Sequence, residues 1–143
     1  MHLRSRFLKN IYNKQACECS PHPNEAAELV KTIAGVPENV LDFTGKTTLV
    51  EAMALIQQCD GFVTNDSGLM HVAAALQVPL AAIFGSTDHI ATGPFAERAV
   101  VIRKEIECSP CKQTHCPKKH LNCLENITVD EVFAQVIQLI QDK

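Results

Sequence analysis

The sequence predicts an α/β fold, a parallel sheet covered by helices on both faces. Three observations point there. Short apolar runs of strand length alternate with runs of helical periodicity, and the connections between them are short. Clusters of small polar residues and glycine fall where strands end and helices begin, the edge at which such sheets bind ligands.

The alternation begins at residue 24. In "NEAAELVKTIAG", Ala26, Leu29, Val30 and Ile33 recur at helical spacing and Gly35 supplies a stop. "NVLDFTG" reads as a short apolar strand ending in a turn. "TLVEAMALIQQC" puts Leu49, Ala52, Met53 and Ile56 on one face, and Thr48 with Glu51 has the spacing of a capping box. "DGFVTN" follows as a strand, "GLMHVAAALQ" as a helix, "PLAAIFG" as a second buried strand, and "AVVIRKEI" as another. A last helix is signalled by Thr128 and Glu131, again at capping-box spacing. It carries Val129, Val132, Phe133, Val136, Ile137 and Ile140 on one face. Residues 1–23 are read as an irregular start, because "YNKQACECSPHP" is a poor strand.

The chain has 143 residues, enough for one domain with a single core. Apolar residues make up 46% and charged residues 20%, a globular profile, and a net charge of −3 gives no electrostatic support to a nucleic-acid partner. No apolar run reaches the roughly 18 residues of a membrane span. The basic start "MHLRSRFLKNIYNK" lacks the apolar core of a secretory signal, so a cytoplasmic location is expected.

"NDSGLMH" concentrates the chemistry. A strand ending at Asn65 delivers Asp66 and Ser67 to the first turn of the next helix, where free N–H groups and the positive helix end favour a diphosphate. Gly68 leaves the backbone open to a ligand, Ser67 adds a hydroxyl, and His71 follows about one turn later. The competing reading makes Asp66 or Ser67 a plain helix cap and His71 a surface residue. "FGSTDHIATGPF" places Ser86, Thr87 and Asp88 after the adjacent strand, where they suit hydrogen bonding to sugar or phosphate or form an ordinary polar turn. "FTGKTT" is not a phosphate loop, because the required first glycine position is Val40. Lys46 therefore reads as a solvated loop lysine, or as one that reaches a ligand.

Seven cysteines are unevenly spread: Cys17 with Cys19, Cys59 alone, and Cys108, Cys111, Cys116 and Cys123 together. An odd count without a secretory signal argues against a disulfide framework. The four clustered cysteines have two, four and six residues between them, with His115 and His120 nearby. That pattern is compatible with tetrahedral zinc, and equally with reduced thiols packing a loop or with disulfides formed on oxidation.

The stretch "VTNDSGLMHVAAALQVPLAAIFGSTDHIATGPF", preceded by "GKTTLVEAMALIQQCDGFV", closely resembles the C-terminal half of the bacterial heptosyltransferases, glycosyltransferase family nine. The resemblance covers about residues 24–141. It implies a Rossmann-like three-layer α/β/α domain, the C-terminal half of a two-domain GT-B glycosyltransferase. It implies binding of an ADP-sugar donor, ADP-heptose or another nucleotide-sugar, for transfer to the lipopolysaccharide core with inversion and with no metal or other cofactor required. On this resemblance Asp66 contacts the donor sugar, Ser67 and Gly68 hold the diphosphate, and His71 supports the same groups. Thr87 and Asp88 belong to a second donor loop. A location at most peripheral to the inner face of the cytoplasmic membrane is implied too.

The same resemblance assigns the catalytic base and the acceptor to an N-terminal domain that this sequence does not contain. No catalytic residue is therefore assigned here. Residues 24–143 are expected to be the donor-binding domain with a cysteine-rich insertion at 108–123, inactive without its other half. The alternative is a non-catalytic module organised by zinc on the four cysteines, or a degenerate fragment.

Overall fold

The computed structural model describes residues 7–9, 43 and 46–141. Of the helix and strand expected over residues 24–45, only Phe43 is described, in no regular element; the rest lies outside the described residues. The elements run β1 (Phe7–Lys9), α1 (Leu49–Gln57), β2 (Gly61–Asn65), α2 (Gly68–Ala75), β3 (Leu80–Ile83), α3 (His89–Thr92), β4 (Ala99–Ile102), α4 (Asn122–Glu125) and α5 (Val129–Gln141). The four strands form one sheet in the order β1-β2-β3-β4, parallel throughout. β1 lies within residues 1–23, where sequence reading places no regular element. Its Phe-Leu-Lys run is too short to carry a strand pattern and takes its geometry from pairing with β2.

The strand pleat divides the core in two. Phe62 of β2, Leu80 and Ala82 of β3 and the following Phe84 face Ala52 and Ile56 of α1 and Leu69, Met70, Ala73 and Ala74 of α2. The alternate residues Val63, Ala81, Ile83, Val100 and Ile102 face Val132, Val136 and Ile140 of α5. Side chains in a strand point to opposite faces in turn, so these near-continuous apolar strands serve a core on each side. The expected layering, helices on both faces of a parallel sheet, is present.

Two capping expectations have different outcomes. At α1 the box is complete: Thr48 N–H donates to Glu51 Oε2 at 2.8 Å, and Glu51 N–H returns to Thr48 Oγ1 at 3.4 Å. At α5, Glu131 N–H donates to Thr128 Oγ1 at 3.2 Å, but the Glu131 carboxylate turns to Lys104 Nζ at 2.6 Å. The lysine after β4 takes the acceptor that a box would use. Two helical faces also need correction. Leu49 and Met53 are exposed on α1, and Val129 and Phe133 on α5. The stripe that α1 presents to the sheet is Ala52, Leu55 and Ile56, continued by Cys59, which leaves Leu49 and Met53 on its flank.

Candidate functional site

β2 and β3 are hydrogen-bonded neighbours, with Asn65 opposite Ile83. The loops that leave their carboxyl ends, 66–68 and 84–88, therefore lie side by side. Asp66, Ser67, Gly68, Thr87 and Asp88 all belong to this edge, and His71 sits one turn into α2 with its side chain exposed.

Ser67 occupies the N-cap of α2 in extended conformation but makes no side-chain cap hydrogen bond. Its hydroxyl lies 3.2 Å from Thr64 Oγ1. Thr64 donates its own proton to the Asn65 carbonyl at 3.0 Å, so Ser67 is the donor between the two hydroxyls. Asp66 does not cap the helix either. Its Oδ2 accepts from Thr92 Oγ1 at 3.0 Å, a bond that ties the β2–α2 loop to α3. The plain capping reading thus fails for both residues. Gly68 is exposed, and a Cβ added there would meet nothing within 4 Å. At the start of α2 Gly68 is thus exposed and no side chain caps the helix, while Leu69 and Met70 turn into the core.

Asp88 does cap a helix. Its Oδ1 accepts from Ile90 N–H at 3.1 Å and Ala91 N–H at 3.4 Å, opening α3. Its other oxygen pairs with Lys112 Nζ at 2.9 Å. The Lys112 ammonium, then the Ile90 N–H, hold this carboxyl below the ordinary aspartate value. Thr87 is exposed at the tip of the same loop. Sequence reading missed Thr92 and Lys112. Thr92 lies in the quoted "FGSTDHIATGPF" stretch but was given no role, and Lys112 stands in no motif; one is positioned by the turn of α3 and the other by a contact across 24 residues of chain.

The cysteine-rich segment packs beside this loop. Ser109 Oγ donates to the Gly85 carbonyl at 2.8 Å, and Lys112 N–H to the Ser86 carbonyl at 2.7 Å. A Cβ on Gly85 would fall 2.7 Å from Leu124 Cδ2, so only glycine lets α4 approach this closely. Cys108, Cys111, Cys116 and Cys123 are free thiols. All four line one cavity of about 140 Å³, together with Ser86 and His120. N–H groups of Leu121, His120, Lys118 and Lys119 lower the Cys116 thiol, Leu121 most. Burial chiefly, then the other three sulfurs, raise the Cys123 thiol. Among the described residues no group of three or more His, Cys, Asp or Glu is drawn together closely enough to hold a metal ion. No helix among them is long and apolar enough to cross a membrane.

A parallel sheet between helix layers, with its polar loops gathered at the strands' carboxyl ends, defines a Rossmann-like α/β domain of the kind found in GT-B glycosyltransferases. The profile of "Glycosyltransferase family 9 (heptosyltransferase)" matches residues 9–122, and the chain belongs to that family. The match begins upstream of residue 24, so part of the start that looked out of pattern lies within the family's span. The lipopolysaccharide heptosyltransferase 2 of Escherichia coli K12 is 50% identical over 99 residues, covering 69% of this chain and 28% of that protein. The lipooligosaccharide heptosyltransferase 2 of Campylobacter jejuni is 36% identical over 104 residues, 72% of this chain and 33% of that protein. The solved structure of the E. coli ADP-heptose lipopolysaccharide heptosyltransferase II superposes with a TM-score of 0.66 at 30% identity, over 83% of this chain and 34% of that one. The chain thus spans about a third of the length of these relatives.

Proposed function

We propose that this chain supplies the donor-binding half of a heptosyltransferase that builds the lipopolysaccharide core. The observation that carries this reading is the side-chain-uncapped start of α2 at exposed Gly68, flanked by Asp66 and by the neighbouring 84–88 loop. A nucleoside diphosphate fits such a place, because exposed N–H groups at a helix start favour spread negative charge without a counter-cation.

In this reading the N–H groups near Gly68 and the Ser67 hydroxyl take the diphosphate of an ADP-sugar, with ADP-heptose as the donor. Ser67 must first give up its 3.2 Å bond to Thr64, a rotation that leaves Thr64 satisfied by Asn65. His71, exposed one turn away, supports the phosphates. Asp66 accepts from the donor sugar's hydroxyls while Thr92 steadies it. Thr87 adds a hydroxyl from the second loop. Asp88 acts by shaping that loop, since both of its oxygens are engaged by α3 and Lys112.

Transfer needs an acceptor hydroxyl and a base within hydrogen-bond reach of it. In this reading the acceptor is the lipopolysaccharide core, and none of the described residues is given the role of the base. The donor half holds the sugar's diphosphate and bears the charge of the departing ADP without a metal. Calorimetry with ADP and with ADP-heptose tests the reading. Micromolar-to-millimolar binding that falls at least about tenfold in Ser67→Ala or Asp66→Ala supports it. Binding that both variants leave unchanged removes the site from this edge.

A further inference from the structure

The start of α2 offers a diphosphate only part of the charge it needs. A helix end carries roughly half an elementary charge, and the two carboxylates of this edge, Asp66 and Asp88, oppose an anion. They also stand close together. Thr92 Oγ1 lies 3.0 Å from Asp66 Oδ2 and 3.0 Å from the Asp88 carbonyl oxygen, so those two oxygens are within about 6 Å of each other. An anion settles beside two carboxylates only where positive charge offsets them. A side chain can provide that charge with no bound ion.

Lys112 is placed for this. Its N–H donates to the Ser86 carbonyl at 2.7 Å, which sets the residue on the loop that ends at Asp88. Its φ of 56° lies in the left-handed region, which a residue with a side chain adopts only where its surroundings impose it. Its Nζ reaches Asp88 Oδ2 at 2.9 Å with the side chain still 64% exposed. An ammonium has three N–H donors, and Asp88 takes one of them. Asp88 is fixed in turn, because its Oδ1 accepts from Ile90 and Ala91 N–H at 3.1 and 3.4 Å. Exposed ion pairs add little stability, so this pair alone does not offset the strained backbone.

On the donor-binding reading proposed above, we infer that Lys112 is the cation that receives the diphosphate, its ammonium bridging Asp88 and an oxygen of the β-phosphate. The β-phosphate is the one that bears the sugar. Asp66, which takes the sugar in that reading, is joined to Asp88 through Thr92. Lys112 therefore stands on the sugar side of the diphosphate, while Ser67 and Gly68 serve it from the helix start. Asp88 keeps its cap on α3 and steers the ammonium with its other oxygen. The segment 108–123 thus acquires a role through one residue: its bonds to Gly85 and Ser86 carry a positive charge to the edge.

The test is calorimetry of the full chain with ADP and with AMP, from low to high salt. Lys112→Gln should lower ADP affinity about tenfold at low salt and flatten its salt dependence, while AMP affinity stays as in the parent. Lys112→Arg, which keeps the charge, should bind ADP within about threefold of the parent. A measurement on the unaltered chain guards against misfolded variants. ADP should shield Lys112, and not Lys118 or Lys119, from acetylation by an N-hydroxysuccinimide ester read by mass spectrometry. Parent-like ADP binding by Lys112→Gln, an equal loss for AMP, an unchanged salt slope or an unshielded Lys112 each overturns the inference. Ser67→Ala tells its failure from that of the donor site. Loss of ADP there beside a parent-like Lys112→Gln removes Lys112 alone, whereas parent-like binding in both removes the donor site with it.

Discussion

Thr92 donates to Asp66 across 26 residues of chain, Oγ1 to Oδ2 at 3.0 Å, and so joins the two loops of the site. The same hydroxyl lies 3.0 Å from the Asp88 carbonyl oxygen, leaving one proton between two acceptors. Asp66 is therefore held by a bond that can shift to its neighbour when a ligand's hydroxyl arrives. Thr92→Val should change stability by no more than about 1.5 kcal/mol. It should weaken ADP-heptose several-fold while leaving ADP nearly untouched. Equal losses for both ligands in calorimetry would show that Thr92 does not act through the sugar contact.

Gly68 separates folding from binding. Its added Cβ meets open space in the free chain, and alanine is the better helix former by up to about 1 kcal/mol. Gly68→Ala should keep or raise the melting temperature while lowering ADP affinity about tenfold or more. A variant that binds ADP as the parent does would place the diphosphate elsewhere.

Acid should release the cap of α3. The Lys112 ammonium, followed by the Ile90 N–H, favours the ionised Asp88 carboxyl, so its folded pKa lies below its unfolded one. Its contribution to stability is then full above the unfolded value and is lost as pH falls through the folded one. A carbon-detected NMR titration should place the midpoint below that of an ordinary aspartate. Lys112→Ala should move that midpoint upward, and an unmoved midpoint would deny the ion pair any role.

Phe84 is 1% exposed in the core beneath α1 and α2, and its ring meets His89 edge-on with centroids 6.4 Å apart. Phe84→Ala should cost about 3–5 kcal/mol in denaturant unfolding. Phe95, 97% exposed, provides the contrast: Phe95→Ala should shift stability by less than about 0.5 kcal/mol. Similar costs for the two would contradict the described core.

The thiols should differ in reactivity. Burial first, then Asp60, pushes the Cys59 thiol up to about 11. At pH 8 only about one in a thousand such groups is ionised. Cys116 is lowered by the N–H groups around it. In the reduced chain iodoacetamide should label Cys116 well before Cys59, and the reverse order in a mass-spectrometric time course would refute this.

The alternation of period two and period three to four made the layers legible, because strands such as "PLAAIFG" serve two cores and "GLMHVAAA" serves one. The edge that gathers Asp66, Ser67 and Gly68 was legible too, since a strand end followed by a helix start has one meaning in a parallel sheet. Partnerships were not. Nothing in the order of residues says that Ser67 would bond to Thr64 and leave α2 uncapped, or that Lys104 would draw Glu131 out of a capping box. Those outcomes depend on which side chains meet after the sheet forms. β1 was missed for a related reason, since three residues acquire strand geometry only from their neighbour.

That pairing has a consequence for the order of assembly. β2, β3 and β4 are connected by short stretches and can condense early around Phe62, Leu80 and Ile102. Phe7 pairs with Gly61 across about fifty residues of chain, and the entropy of bringing them together is recovered only by contacts with a finished template. The first strand in the chain is thus the last to dock, and its amides should exchange with deuterium sooner than those of β3.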